Sequence, residues 1–162
     1  MVIIDYNQIT FSIIKPDAVI QGNGSAINAM LEKNGFKILL QVKKHITLEE
    51  AKFFYQEHKE RPFFNDLTHF LSSGPAIVQV LYHSQGDTVK RYRDIMGATN
   101  PAAADDKTIR KLYGHSIDYN AVHGSDSSIS SQREILCFFS ELQVYKGWED
   151  LHIKAEDIKK NK

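Results

Sequence analysis

Between Gln8 and Ile14, Thr10 and Ser12 alternate with Ile9, Phe11 and Ile13, the period-two spacing of a short strand. Lys15-Pro16-Asp17 stops it. Ile27, Met30 and Leu31 then recur at helical spacing, and Gly35 stands where a left-handed residue closes a helix. Phe36, Ile38, Leu40 and Val42 alternate again and predict a second strand. Thr47-Leu-Glu-Glu50 is a capping box, so a helix starts at Leu48 and carries Ala51, Phe54 and Tyr55. Arg61-Pro62 breaks it, and Phe63 to Leu71 reads as a second short helix.

Gly74-Pro75 punctuates before a third strand, Ala76 to Leu81. Asp87 can cap a helix with Val89, Tyr92, Ile95 and Met96, ended by Gly97. Ala98 to Lys107 reads as a polar loop, Thr108 to Tyr113 as a helical turn, and Gly114 to Ser125 as another loop. Ile129, Arg133, Leu136 and Phe139 predict a helix, and Glu141 to Val144 fits a last strand. Short strands and helices in this order predict an α+β sandwich with helices on one face of a small sheet. The pattern alone leaves the strand order open.

Composition narrows this picture. With 162 residues the chain is expected to form one domain. Its 42% apolar and 25% charged residues are ordinary for a folded protein and exclude a disordered tail. Twenty basic residues balance twenty acidic ones, which argues against a general nucleic-acid or membrane-surface binder. An anionic ligand therefore has to be held by a local cluster of cations. The single cysteine, Cys137, excludes an internal disulfide and a cysteine-based zinc site, and is expected to pack as a small hydrophobe. The opening residues lack a signal pattern and the longest apolar run is too short to span a bilayer, so the expected compartment is the cytosol.

Gly22-Asn-Gly24 leads to Ile27 where a third glycine of a dinucleotide loop would stand, and no phosphate-loop signature occurs. The seven histidines show no metal-binding spacing. Asn120-Ala-Val-His123-Gly-Ser-Asp126 is different, a polar loop just before a helix N-terminus, where anions are favoured. Ser125 or Asp126 could cap that helix. His123 by itself reads far more readily as a solvent-exposed bystander than as a reactive group, a balance shifted slightly by Glu134 on the following helix, which could orient one ring nitrogen and leave the other as a nucleophile. Arg93 and Arg110 flank the turn-rich stretch Gly97 to Pro101, which includes Thr99, and supply fork donors suited to phosphate oxygens. Lys15 is either a ligand contact or part of a strand-ending turn. Phe63 and Phe64 are core aromatics by default, and an exposed one could stack on a base.

Together these segments resemble the nucleoside diphosphate kinase family. Ile14-Lys-Pro-Asp-Ala-Val19, His58-Lys-Glu-Arg-Pro-Phe-Phe64, Ser73-Gly-Pro75, Met96-Gly-Ala-Thr-Asn-Pro101, Thr108-Ile-Arg110 and Asn120 to Asp126 fall in the family's order, from about Ile9 to Phe139. The resemblance implies a ferredoxin-like α+β sandwich with a four-stranded antiparallel sheet, over residues 1–145, with residues 146–162 as a C-terminal extension. It implies transfer of the γ-phosphate of a nucleoside triphosphate to a nucleoside diphosphate by a ping-pong route through a phosphohistidine on His123, with broad base specificity, sustaining NTP and dNTP pools. Glu134, Tyr55 and Lys15 would complete the catalytic set. Arg93, Thr99 and Arg110 match residues binding the β- and γ-phosphates, His58 one near the α-phosphate, and Lys15 one reaching phosphate and sugar. Asn120 matches the ribose contact, and Phe63 and Ile117 the base contacts. Mg²⁺ would be held through the nucleotide phosphates rather than by a protein cage. A cytoplasmic hexamer or tetramer is implied, with ATP, other NTPs and NDPs as ligands and neither a membrane nor a specific nucleic acid as partner.

The sequence departs from the family pattern in places. Asp106-Lys107 stand where Pro-Gly is usual before Thr-Ile-Arg, His83-Ser84 replace Glu-Gly, and Ser140 replaces a frequent proline. None of these lies in the expected catalytic set. Two other functions compete: a nucleotide-binding protein without turnover, and a hydrolase in which His123 and Glu134 activate water.

Overall fold

In the computed structural model, residues 3–160 are described along the backbone and residues 3–153 in their side chains. Met1, Val2 and the last two residues of the 146–162 stretch lie outside the described residues. Four strands, β1 (Ile9–Ile14), β2 (Phe36–His45), β3 (Pro75–His83) and β4 (Val122–Gly124), form one sheet in the order β2-β3-β1-β4. Each adjacent pair is antiparallel. The helices are α1 (Pro16–Ile20), α2 (Gly24–Lys33), α3 (Leu48–Phe54), α4 (Phe64–Leu71), α5 (Thr88–Met96), α6 (Ile109–Tyr113), α7 (Ser128–Phe138) and α8 (Glu141–Lys160).

Every residue of β1 is buried, because it lies between β3 and β4 and both its faces are covered. On one face Ile9, Phe11 and Ile13 pack with Val78, Val80, Phe54, Ile135 and Trp148. On the other, Ile14 and Leu81 pack with Ile27, Leu31, Tyr92 and Met96. Helices on a single face, as the pattern predicts, is therefore corrected to helices on both. The error comes from Thr10 and Ser12, whose polarity suggests a solvent face. Ser12 Oγ instead lies 2.7 Å from the Tyr92 hydroxyl, and Gln79 Nε2 donates to Ser12 and to Asn28, at 3.3 and 3.0 Å. Polar groups can be buried when each finds a partner.

The capping box at Thr47 and Glu50 is present, and Gly35 adopts φ +89° after α2, a conformation that disfavours any side chain. Asp87 does not cap α5 with its side chain; it takes a left-handed turn at φ 50° instead. Two elements differ from expectation. The loop Gly114 to Ser125 contains β4, a strand too short to show alternation, which pairs Ile13 with His123. Residues Glu141 to Val144 open α8 rather than a strand. Ser140 Oγ accepts from Gln143 N and the Gln143 side chain accepts from Ser140 N, a reciprocal cap that starts a helix. Val144, Trp148 and Leu151 then recur at helical spacing and meet the core, Trp148 against Tyr82 at 5.7 Å between ring centroids. Gly147 lies against Leu39 and Leu40, at the irregularity where β2 shifts register, and a Cβ there would sit 3.2 Å from the Leu39 carbonyl oxygen.

Candidate functional site

The site is assembled where β1 ends and β4 passes beside it. Ala121, immediately before β4, adopts φ +74°, a conformation costly for a residue with a Cβ. Two bonds impose it: Ala121 N donates to Asp17 Oδ2 at 3.0 Å, and its carbonyl accepts from Lys15 N at 2.8 Å. The strained turn ties the Lys15-Pro16-Asp17 corner to the strand that carries His123. Gly124 follows, and a Cβ there would come within 2.5 Å of Met96 Sδ and 2.8 Å of the Tyr92 ring. Only glycine lets β4 lie this close to α5.

His123 Nε2 is in short contact with Glu134 Oε1, which projects from α7 and is itself buried. With the Nε2 proton donated to this carboxylate, Nδ1 keeps its lone pair. Phe54, Tyr55 and Phe11 surround the imidazole, with ring centroids 5.1, 6.5 and 6.2 Å away. Burial lowers the His123 pKa below its usual value, and the nearby Lys15 and Arg110 cations push the same way, against the Glu134 hydrogen bond and charge. The ring is therefore neutral at neutral pH. Burial raises the Tyr55 hydroxyl far above its usual range, so it stays protonated.

His123 lines a cavity of about 270 Å³ together with Tyr55, His58, Arg93, Thr99, Arg110 and Glu134. Of two larger hollows, of about 450 and 440 Å³, the first shares Arg93 and Asp126 with this cavity, and neither is lined by His123. Arg110 is held by Gly97 O at 3.2 Å and Val122 O at 3.0 Å, which aims its fork beside His123. Its Nε is buried without a partner, a donor that an incoming oxygen would satisfy. Lys15 Nζ donates to Asn120 Oδ1 at 3.0 Å, and Asn120 Nδ2 donates to the Thr99 carbonyl at 3.2 Å. Burial, with Arg110 next, lowers the Lys15 pKa to about 8.

Of the residues expected from the sequence, seven thus share the cavity wall, and Lys15 and Asn120 join it through Thr99. Phe63 and Ile117 are not on that wall. Both are exposed, Phe63 before α4 and Ile117 in the turn 115–119, and Phe63 lies 5.6 Å from His58 between ring centroids. Sequence reasoning passed over Arg133, Ser130 and Glu57 as site residues. Arg133 ion-pairs with Glu57 at 2.6 Å and donates to the Phe54 carbonyl at 3.2 Å, fastening the end of α3 to α7. Ser130 and Glu134 are four apart on α7 and so share a face, a signal that was available. The cap of α7 is Ser127, whose hydroxyl accepts from Ser130 N, rather than Ser125 or Asp126. Asp126 instead lines the cavity.

Among the described residues, no group of three or more His, Cys, Asp or Glu side chains is arranged to hold a metal ion, and no helix is long and apolar enough to cross a membrane. Cys137 lies half-buried on α7, its thiol donating to the Arg133 carbonyl.

A four-stranded antiparallel sheet covered by helices, with a carboxylate-held histidine beside a cavity that presents Arg93 and Arg110, defines a ferredoxin-like α+β protein with donors suited to phosphate oxygens. The model of the nucleoside diphosphate kinase family matches residues 8–144. A nucleoside diphosphate kinase of Azorhizobium caulinodans is 50% identical over 135 residues, 83% of this chain and 95% of that protein. The solved nucleoside diphosphate kinase of Aquifex aeolicus superposes with a TM-score of 0.80 at 39% identity, covering 84% of this chain and 97% of that one. A halophilic nucleoside diphosphate kinase from Halobacterium salinarum, solved in complex with CDP, gives 0.79 at 36% identity, with 84% and 90% covered. The chain belongs to the nucleoside diphosphate kinase family.

Proposed function

We propose that this protein transfers the γ-phosphate of a nucleoside triphosphate to a nucleoside diphosphate through a phosphohistidine on His123, and so equilibrates NTP and dNTP pools. The observation that carries this reading is the imidazole held at Nε2 by buried Glu134, on the wall of a cavity that also presents Arg93, Thr99 and Arg110. In the first half-reaction the Nδ1 lone pair forms an N–P bond to the γ-phosphorus. The bond from phosphorus to the bridging oxygen breaks, and its electron pair leaves with the nucleoside diphosphate. In the second, a β-phosphate oxygen of an acceptor attacks that phosphorus, and the N–P electrons return to the ring. One site serves both halves, which gives ping-pong kinetics.

Phosphoryl transfer needs positioning and charge stabilisation more than covalent chemistry. Arg93, Arg110 and Thr99 would grip the β- and γ-phosphates, and His58 would lie near the α-phosphate. Tyr55 would pack beside the nucleophile as a neutral donor. Lys15 and Asn120 would meet the sugar hydroxyls and the phosphate. Phe63 and Ile117 would sandwich the base by its faces, a contact every base can make. Mg²⁺ fits a site of this kind through the phosphates, whose charge it neutralises. Of the cavity carboxylates, Glu134 is engaged with His123, Glu57 with Arg133, and Asp126 with the hydroxyls of Ser127 and Ser130, so the cation would be held through the nucleotide rather than by a protein cage.

Residues 1–145 would form the catalytic unit, with 146–162 as an extension, in a cytoplasmic homo-oligomer of six or four subunits. The test is incubation with ATP labelled at the γ-phosphate. The expected product is an acid-labile, alkali-stable phosphoprotein that discharges to any added nucleoside diphosphate. Label that persists in His123→Ala would overturn the mechanism, and phosphate release without an acceptor would favour the hydrolase.

A further inference from the structure

Phe70 of α4 and Tyr119 of the turn 115–119 meet edge to face, with ring centroids 4.9 Å apart and planes at 89°. Phe63, the residue just before α4, and Ile117 in that turn are the exposed side chains assigned above to the base. Phe63 caps α4 with near-helical backbone, φ −83° and ψ −2°, and stands seven residues before Phe70, which places the two on about the same side of the helix, about 10 Å apart along its axis. The aromatic contact therefore ties α4 to the turn about 10 Å along the helix from Phe63, and Ile117 is exposed in the same turn.

The turn that presents Tyr119 is rigid. His115 N and Ser116 N both donate to the Tyr119 carbonyl, at 2.8 and 3.3 Å, and Tyr119 N donates to Ser116 Oγ at 3.1 Å. His115 Nε2 lies 3.0 Å from Gln21 Oε1, which anchors the turn to the end of α1. Asn120, bonded to Lys15, follows directly. Tyr119 is 51% exposed, so its ring is placed by the Phe70 contact rather than by burial in the core. Neither ring lines the cavity around His123.

We propose that the Tyr119–Phe70 contact is a brace that sets the width of the base gap, making Tyr119 a positioning residue for the nucleobase. The proposal rests on the nucleotide reading above, and it acts on binding and not on phosphate transfer. A preset gap spares the nucleotide the cost of ordering both walls, so removing the brace weakens stacking on every base alike.

The decisive measurement is the affinity of purified Tyr119→Ala, Phe70→Ala, their double variant and Tyr119→Phe for ADP, GDP, CDP and inorganic tripolyphosphate. An edge contact of this kind is expected to give a loss of about 3–10-fold for each nucleotide in the alanine variants. Tripolyphosphate affinity and the rate of phosphoenzyme formation at saturating ATP stay at wild-type values. The double variant is no worse than the weaker single one, and Tyr119→Phe, which keeps the ring, binds as the wild type does. Unchanged nucleotide affinity in Tyr119→Ala overturns the brace, as does an equal loss for tripolyphosphate. Absence of phosphoenzyme in the wild-type protein instead overturns the phosphotransfer reading, and the binding series still decides the brace.

Discussion

The two ends of the site are built on opposite physical plans. At the histidine end, Lys15, Asn120 and Glu134 are 7, 3 and 5% exposed; Lys15 is bonded to Asn120, Asn120 to the Thr99 carbonyl, and Glu134 to His123. At the outer end, Phe63 and Ile117 are 48 and 57% exposed. Charge that develops during transfer is best stabilised by dipoles already oriented in a dry environment. A base that need only stack asks for flat apolar surface and no fixed polar partner. The contrast means that substitutions at the inner end should strike the chemical step, and those at the outer end should strike binding.

The largest effect that would break this comparison is at His123. Replacing it by alanine should lower kcat by at least about 10⁴-fold, because the proposed mechanism routes every transfer through this imidazole. A single-turnover assay checks it. Glu134→Gln keeps the shape but removes the charge that orients Nε2, and a loss of about 10²-fold in kcat with little change in KM is expected. A change confined to KM would mean that Glu134 serves binding.

The pH profile of kcat/KM separates two groups at the inner end. The proposed transfer uses neutral His123, whose pKa is pushed down, so the acid limb should lie below the usual histidine value of 6.5. In the proposed mechanism the phosphate is met by charged Lys15, which loses its proton as pH rises through about 8. Activity should therefore fall above that point, by up to about tenfold per pH unit where the charge is indispensable. Lys15→Met should flatten the alkaline limb and leave the acid limb in place. The smallest effect belongs to the outer end. Phe63→Ala should raise KM by roughly fivefold, about 1 kcal/mol, equally for purine and pyrimidine diphosphates and with kcat unchanged. A loss restricted to one base would show that its edge is read.

The order of residues determined a good deal. Strand spacing in Ile9 to Ile14, the capping box at Thr47 and Gly35 after α2 are local statements that chain geometry enforces within a few residues. The segments around Lys15, His58, Arg93, Arg110 and His123 also carry their chemistry in plain sight, since charge and hydrogen-bonding capacity belong to the residue itself.

Tertiary structure alone decided the rest. Whether Thr10 and Ser12 face water depends on Ser131 and Tyr92, more than 75 residues away in the chain. β4 is three residues long and exists because β1 offers it a ladder. Glu141 to Val144 follow their cap and the core beneath Trp148 rather than the short alternation they display. The positive φ of Ala121 is held by Asp17 and Lys15 from another element, and the Arg133–Glu57 pair spans α7 and the turn after α3. Partners of this kind are invisible in a linear string, because a side chain's burial, pKa and conformation are set by what folding brings against it. Residue type determined which chemistry was available, and long-range packing decided which residues stand together to perform it.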